Sequence, residues 1–203
     1  MKITSISIFT LVLLFLTACS TNEIEISEPT LEESEEIKLI GDSLSNKLLS
    51  ALKSELSNAI QEKGVVNAIK VCNIKALPIT DEIAKSENYT IELKRTTSKY
   101  RNPQNKPDDI EKLVLEKYLD FHKKNQPLPE YYIQKISDKN KQYYNYYKPL
   151  KTAGLCLLCH GDSQTMDESL KDVLNRLYPN DLATGYKDGD FRALLRIKIM
   201  DKQ

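Results

Sequence analysis

The order of the segments predicts an α+β fold in which helices pack on an antiparallel sheet. Segments whose apolar residues recur at spacings of three and four come first, and segments of alternating apolar and polar residues follow, with further helical patterns between them. This order of helices, strand, helix, strands, helix and strand is typical of that class. The 203 residues suffice for one domain with a sizeable core.

The first helices follow an acidic segment. Residues 21–36 carry seven acidic side chains and little apolar content, which is typical of a solvated tether. From about residue 37 to 63, leucine and isoleucine recur at helical spacing. Gly64 ends or bends this helix, and helical patterns resume on either side of Pro78. We therefore predict a long N-terminal helix followed by shorter ones that extend to about residue 85.

The rest of the chain alternates between strands and helices. Strands are predicted over 89–97, 131–136, 142–150 and 191–200, and helices over 109–124 and 167–177. In the first strand, alternation places Arg95 on the inward face with Ile91 and Leu93. In the last strand, alternation predicts one apolar face that contains Phe191, Ala193, Leu195, Ile197 and Ile199.

The N-terminus resembles the signal peptide of a bacterial lipoprotein. Lys2 precedes an apolar run over 3–16, which is too short to span a bilayer. The run leads into Leu16-Thr17-Ala18-Cys19, which resembles a lipobox. In lipobox proteins the cysteine is lipidated and becomes the first residue after cleavage. The alternative is ordinary cleavage that leaves a free cysteine.

These features predict an exported chain with three parts. Residues 1–18 would be the signal peptide, residues 19–36 the acidic tether and residues 37–203 a single domain. Several acyl chains on Cys19 would hold the protein at a membrane, facing the periplasm. Ser20, rather than aspartate, favours the outer membrane if the cell has two membranes. The formal net charge of zero argues against a nucleic-acid partner, because phosphate binding needs a basic face.

Cys156-Leu157-Leu158-Cys159-His160 is typical of covalent haem attachment. The two thiols have the spacing that adds to both vinyl groups, and the adjacent histidine reaches the iron. A zinc site would need a second Cys or His pair, and a thioredoxin-like motif would need a strand–helix–strand context. A local disulfide is the remaining alternative. Haem c is attached outside the cytoplasm, so the predicted export favours one covalent haem c.

The second axial position of the iron has several candidates, and it could also stay empty. His122 is the only other histidine, but it lies at the edge of an apolar helix face before two lysines, as a partly solvated side chain would. Met166 is only six residues beyond His160, and Met200 lies on the polar face of the last strand. Cys72 is better placed, because it shares the apolar face of its helix.

Cys72 would also lack a disulfide partner if the other three cysteines carry lipid and haem. The residues alone leave open whether Cys72 binds iron or is a small buried apolar side chain. Arg95 raises a similar question, because an inward guanidinium needs an anion and the two haem propionates would supply one. A salt bridge to a carboxylate or an exposed strand end is the alternative. Arg101, in the following loop, is a weaker candidate of the same kind.

Four spaced segments together resemble the PAS-like c-type haem domain family, which occurs as exported single-domain proteins and as extracytoplasmic parts of histidine kinases and chemoreceptors. The segments are Ala68-Ile69-Lys70-Val71-Cys72 with Ala76 and Pro78; Arg95-Thr96-Thr97-Ser98-Lys99-Tyr100-Arg101-Asn102-Pro103 with Asn105 and Pro107; Cys156 to Gly161; and Tyr178-Pro179 through Ala183-Thr184-Gly185-Tyr186. The resemblance implies a PAS-like antiparallel sheet flanked by helices, thioethers at Cys156 and Cys159, and axial ligation by His160 and Cys72. One departure is Ala193 after Arg192, where the family tends towards glycine.

Two functional classes follow from this resemblance. The first is an extracytoplasmic redox or gas sensor, in which Cys72 leaves on reduction, a gas such as CO or NO enters, and a partner protein carries the signal. The alternative is a low-potential electron-transfer cytochrome with fixed ligands. An enzyme such as a peroxidase is less expected, because no distal histidine is evident.

Overall fold

The computed structural model describes residues 24–85, 89–139 and 141–201, without the side chains of residues 71–73. The elements are β1 (Glu25–Ser27), α1 (Leu31–Lys85), β2 (Thr90–Thr96), a 3₁₀ helix (Pro103–Asn105), α2 (Asp109–Lys123), β3 (Tyr132–Asp138), β4 (Lys141–Lys151), α3 (Gly154–His160), α4 (Glu168–Leu177) and β5 (Phe191–Met200). The strands form one antiparallel sheet in the order β1-β3-β4-β5-β2. The predicted α+β class, a PAS-like antiparallel sheet flanked by helices and preceded by a long N-terminal helix, is confirmed.

Helix α1 turns back on itself at Gly64. This residue has φ 73° and ψ 170°, in the region that glycine tolerates best. Lys75 Nζ lies 4.0 Å from Glu55 Oε1, whereas twenty residues of continuous helix would separate them by about 30 Å. The second half of α1 therefore folds back towards the first. The prediction that Gly64 ends or bends the helix is confirmed.

Helix α1 covers one face of the sheet. Gly41 makes the close approach possible, because a Cβ there would lie 2.3 Å from Cγ of the Tyr146 ring. The core between them contains the buried residues Ile37, Leu44, Leu48, Ile91, Ile133, Tyr146, Leu195, Ile197 and Ile199. This face of the sheet also carries the candidate site.

Helix α2 covers the opposite face. It begins with a capping box, in which Asp108 and Glu111 each accept a backbone N–H of the other. Its Tyr118 stacks on Phe191 with ring centroids 5.6 Å apart. The core on this face contains Val114, Leu115, Tyr118, Tyr147, Phe191 and Leu194.

The position of Phe191 corrects the strict alternation predicted for the last strand. Phe191 packs with α2, whereas Leu195 packs with α1. The cause is a register shift between β4 and β5, where Leu150 pairs with Ala193 and Lys151 pairs with Phe191. Arg192 is the extra residue on β5, as in a β-bulge. The bulge changes which face each residue meets at this end of the strand.

The predicted solvated tether over 19–36 also needs correction in its second part. Residues Glu25–Ser27 pair with β3, and α1 begins at Leu31. The Glu33 carboxylate accepts hydrogen bonds from Lys135 Nζ at 2.6 Å and from the Tyr144 hydroxyl at 2.7 Å. Part of the acidic segment therefore docks on the sheet through a specific acceptor, which composition does not reveal.

The predicted signal peptide and Cys19 lie outside the described residues. Across residues 24–85, 89–139 and 141–201, no helix is both long enough and apolar enough to cross a membrane. The signal peptide and the part of the tether before residue 24 stay predictions.

Candidate functional site

The C-x-x-C-H motif forms the short helix α3, which was not predicted as a helix. Cys156 and Cys159 are partly buried and almost one turn apart, and His160 is the last helical residue. Gly161 ends the helix by donating its N–H to Leu157 O at 2.9 Å. A Cβ on Gly161 would lie 2.7 Å from that same oxygen, so the turn requires glycine for space.

The His160 imidazole is held by a hydrogen bond at each nitrogen. Nδ1 lies 2.6 Å from the carbonyl oxygen of Ala183. Because a carbonyl only accepts, Nδ1 carries the proton and Nε2 keeps its lone pair. Nε2 accepts a hydrogen bond of 2.6 Å from Nη2 of Arg192. Burial, followed by the charges of Arg192 and Arg101, lowers the pKa of His160 to about 2, so the imidazole is neutral.

The backbone around His160 is held by the segment after α4. The N–H of Tyr186 donates to His160 O at 3.0 Å, and the N–H of Gly185 donates to Gly161 O at 2.7 Å. Gly185 has φ +73°, which favours glycine at this position. The N–H of Leu182 donates to Tyr100 O at 3.1 Å. Three of the four segments that carry the family resemblance therefore meet at His160.

Arg101 fastens these segments together. Its Nη2 donates to Cys159 O at 2.6 Å, and its Nε donates to Asp181 Oδ2 at 2.9 Å. The other carboxylate oxygen of Asp181 accepts the N–H of Ala183 at 2.8 Å. Arg101 thus lies beside the motif, and its contacts are with the protein. A role towards propionates stays a prediction.

Arg95 lies on the inward face of β2, as alternation predicted. Its partner across the ladder is Leu195, which belongs to the core under α1. Its positive charge contributes to lowering the pKa values of both His160 and Arg192, so it acts at the same site. Arg95 is partly buried.

Arg192 is the site residue that sequence reasoning missed. In the sequence Arg192 is one of three basic residues of the last strand, with Arg196 and Lys198, and nothing local distinguishes it. The bulge that turns it towards His160 depends on the register between β4 and β5. Among the described residues, its guanidinium has no carboxylate within 4.0 Å and one hydrogen-bond acceptor, His160 Nε2. Burial, followed by the charge of Arg95, lowers the pKa of Arg192.

The side chain of Cys72 lies outside the described residues, while its backbone belongs to the second half of α1. Ile69, three positions before it, is buried against α4, and Cys159 packs against the same cluster. The turn of α1 that leads to Cys72 therefore shares a cluster with the motif helix. Met166 is also part of this cluster.

His122 and Met200 lie apart from this arrangement. His122 Nε2 is 3.5 Å from Asp190 Oδ1 and its side chain is 38% exposed, which confirms the predicted partly solvated surface histidine. Met200 pairs with Thr90 at the opposite end of β5 from Arg192.

The fold and the motif define a PAS-like domain that carries a C-x-x-C-H helix beside a cluster of arginines. A model of the Tll0287-like family matches residues 24–200, and the chain belongs to this family. The crystal structure of the cyanobacterial haem protein Tll0287 is similar to this chain, with a TM-score of 0.55 and 21% sequence identity. The similarity covers 86% of this chain and 99% of that one. No curated protein sequence gives a significant match. The family resemblance seen in the sequence is confirmed.

Proposed function

We propose that the chain is a c-type haem protein, with one haem joined to Cys156 and Cys159 and His160 as an axial ligand. One observation carries this proposal: His160, the last residue of the motif helix, is neutral, and its Nδ1–H donates a hydrogen bond to the backbone carbonyl of Ala183. Metal-binding histidines are held in this way, because the outer hydrogen bond fixes the tautomer and the ring orientation. The similarity to the haem protein Tll0287 supports the haem binding in this proposal.

The residues around His160 fit a haem chemically. Nε2 keeps the lone pair that an iron ligand needs, and two thiols stand on the same helix. Arg192 and Arg95 act on the imidazole as positive charges, and the haem edge carries two carboxylates. Guanidinium groups suit carboxylates because they donate two parallel hydrogen bonds. Arg95 and Arg101 are proposed to contribute to this edge.

Cys72 is proposed as the second axial ligand. The described part of α1 supports this proposal. Ile69, which lies about one helical turn before Cys72, belongs to the same apolar cluster as Cys159. A bound haem supplies one-electron redox chemistry and, at an open axial position, a place for a small gas. In the sensor function, Cys72 stays bound in the oxidised protein and leaves on reduction. The signal then passes to a protein partner.

Electron transfer is the alternative function, and the surface of α3 favours it. Leu155 directly precedes Cys156 and Leu158 directly precedes Cys159, and the two leucines are 36% and 43% exposed. Two open apolar side chains beside the attachment cysteine would bring the haem edge close to a docking partner. In this function Cys72 remains bound in both oxidation states.

The location is proposed from the N-terminal sequence. A lipid on Cys19 would hold the domain at a membrane on the periplasmic side, and at the outer membrane if there are two. Membrane anchoring fits either function, because a sensor and a membrane-side electron carrier both work with partners at that surface.

Haem staining after denaturing electrophoresis tests the core of the proposal. The full chain, produced together with a cytochrome c maturation system, should give a stained band that survives acid–acetone extraction. Cys156→Ala combined with Cys159→Ala should abolish the stain, whereas the control His122→Ala should keep it. If all the haem of the wild-type protein extracts into acid acetone, covalent attachment is wrong.

A further inference from the structure

The guanidinium of Arg192 lies against Nε2 of His160, the nitrogen that the proposed function assigns to the iron. Nη2 of Arg192 lies 2.6 Å from Nε2, the nitrogen that an iron would need. An N–H group and a metal ion compete for the same lone pair, so both cannot hold it together. Any binding of iron to His160 therefore requires that Arg192 first move away.

The backbone of Arg192 is fixed while its side chain has few partners. Its carbonyl oxygen accepts hydrogen bonds from Thr97 Oγ1 at 2.8 Å and from the Tyr186 hydroxyl at 3.4 Å. The bulge between β4 and β5 places it on the His160 side of the sheet. A guanidinium carries five N–H donors, and in the described part of the chain only Nη2 has an acceptor. Movement away from His160 thus needs rotation of the side chain alone.

Charge determines what can draw Arg192 away. Arg101 already has Asp181 as its partner at 2.9 Å, whereas Arg192 has a neutral nitrogen. A carboxylate binds a guanidinium more strongly than a neutral acceptor does, because the hydrogen bonds are charge-assisted and paired. A ligand that brings a carboxylate to this edge would therefore replace His160 as the acceptor.

We infer that Arg192 couples recognition of the haem carboxylates to the release of His160 Nε2 for the iron. Arg192 is a positioning residue in this role, and the inference rests on the proposed haem binding. A macrocycle without carboxylates would leave Arg192 hydrogen-bonded to His160 Nε2, so this nitrogen would not be free to bind the iron. The site would in this way select a haem with free propionates before any thioether forms.

Two probes separate these steps. Ferric mesohaem has ethyl groups in place of the vinyl groups, so it cannot form thioethers, and its dimethyl ester also lacks free carboxylates. Each probe is titrated into the haem-free full chain, and the Soret absorbance gives the affinity. The wild type should bind mesohaem about tenfold or more tightly than the ester, because only the free acid offers charged acceptors.

Arg192→Leu should reduce the difference between the two affinities by changing them in opposite directions. The affinity for mesohaem should fall, because a charged partner is lost, and the affinity for the ester should rise, because Nε2 is no longer capped. The matched control is Arg176→Leu, an exposed arginine on α4, which should behave as the wild type. If Arg192→Leu weakens only mesohaem and leaves the ester unchanged, Arg192 is a carboxylate clamp without coupling, and the inference is wrong. An equal fall for both probes would show a merely structural role and also overturn it.

A second measurement needs no haem. The chain has two histidines, so ¹⁵N NMR of the haem-free chain can follow His160 with His122 as an internal reference. Arg192→Leu should move the Nε2 resonance of His160 downfield, because the lone pair loses its donor, and should leave His122 unchanged. An unmoved His160 resonance would overturn the inference. Failure of the proposed function looks different, since then neither the wild type nor any variant would change the Soret band of either probe.

Discussion

Arg101 donates a hydrogen bond of 2.6 Å to the backbone carbonyl of Cys159, the second cysteine of the motif. The same guanidinium pairs with Asp181 at 2.9 Å, and both side chains are about nine-tenths buried. The helix C-terminus offers unpaired carbonyl groups, which cations stabilise. Arg101 thus joins the loop after β2 to the motif helix and to the segment that holds His160.

We expect Arg101→Leu to lower the free energy of unfolding by about 2–4 kcal/mol, since it breaks a buried ion pair and leaves Asp181 uncompensated. Urea denaturation of the full chain measures this. Arg176→Leu on the exposed face of α4 is the matched control and should change stability by less than about 0.5 kcal/mol. Equal stability of the two variants would contradict the fastening role of Arg101.

Two glycines at the ends of the motif helix α3, Gly154 as its first residue and Gly161 just after its last, give an internally controlled test of this helix. A Cβ on Gly161 would lie 2.7 Å from Leu157 O, whereas a Cβ on Gly154 would meet nothing within 4 Å. Gly161→Ala should therefore cost about 1–3 kcal/mol and lower the fraction of chains that carry covalent haem. Gly154→Ala should leave both quantities near the wild-type values. The ratio of Soret to protein absorbance and a thermal melt measure them, and equal effects would contradict this geometry.

Acid should loosen α1 from the sheet. Hydrogen bonds from Lys135 and Tyr144 lower the pKa of Glu33 to about 2. Burial raises the pKa of Asp42, but hydrogen bonds from Lys148, Lys38 and Tyr146 outweigh it and keep this pKa below its usual value. A carboxyl group whose pKa is lowered on folding stabilises the protein above its unfolded pKa, near 4. This stability is lost as the pH falls towards 2.

Urea denaturation between pH 6 and pH 3 tests this expectation. The wild type should lose stability more steeply than a variant that combines Glu33→Gln and Asp42→Asn, because that variant has already lost the two carboxylates. The control Glu168→Gln removes an exposed carboxylate on α4 and should keep the wild-type slope. Parallel slopes for the wild type and the double variant would contradict the prediction.

The sequence was most informative where periodicity extends over many residues. Helix α2 and strand β5 lie within one residue of their predicted bounds, because one face of each is buried and the pattern records that face. The break at Gly64 was also predicted, since glycine marks positions of unusual backbone. Arg95 lies on the face that alternation gives it.

What the sequence did not reveal depends on contacts between distant segments. The three residues of strand β1 are exposed, and the strand forms only because its backbone pairs with the edge of β3. The seven residues of α3 are too few for a periodic signal. Backbone hydrogen bonds from the segment after α4 fix the C-terminal end of this helix. Arg192 reaches His160 through a bulge whose register belongs to two strands. These are tertiary effects, which local patterns do not carry.

Mass spectrometry of the mature protein tests the lipid anchor predicted at Cys19. The signal peptide should be absent, and the first residue should carry two or three acyl chains. Cys19→Ser should abolish acylation and release the domain from the membrane fraction, because export without lipid leaves no anchor. Cys156→Ser, which removes a different cysteine, should leave the protein in that fraction. A wild-type product that is soluble and begins at another residue would refute anchoring.

Cys72→Ala tests whether Cys72 is the second ligand of the iron, as both proposed functions require. A thiolate neutralises the formal positive charge of a ferric haem in a site of low dielectric constant, so Cys72 should bind in the oxidised protein. The variant should therefore change the ferric absorption spectrum from low-spin to high-spin or water-bound, while the covalent haem survives. The control His122→Ala should leave the spectrum as it is, since His122 pairs with Asp190 at the surface. An unchanged spectrum in Cys72→Ala would show that Cys72 is not a ligand.

The reduced wild type then decides between sensing and electron transfer. An added electron removes the charge that the thiolate compensates, so Cys72 should protonate or dissociate and leave His160 as the remaining protein ligand. CO should accordingly bind the reduced protein and not the oxidised one, with a shift of the Soret band as the measurement. Cys72→Ala, which already lacks the thiolate, should bind CO after reduction at least as readily. If the reduced wild type stays six-coordinate and refuses CO while the variant accepts it, Cys72 is a permanent ligand, and electron transfer is the function that remains.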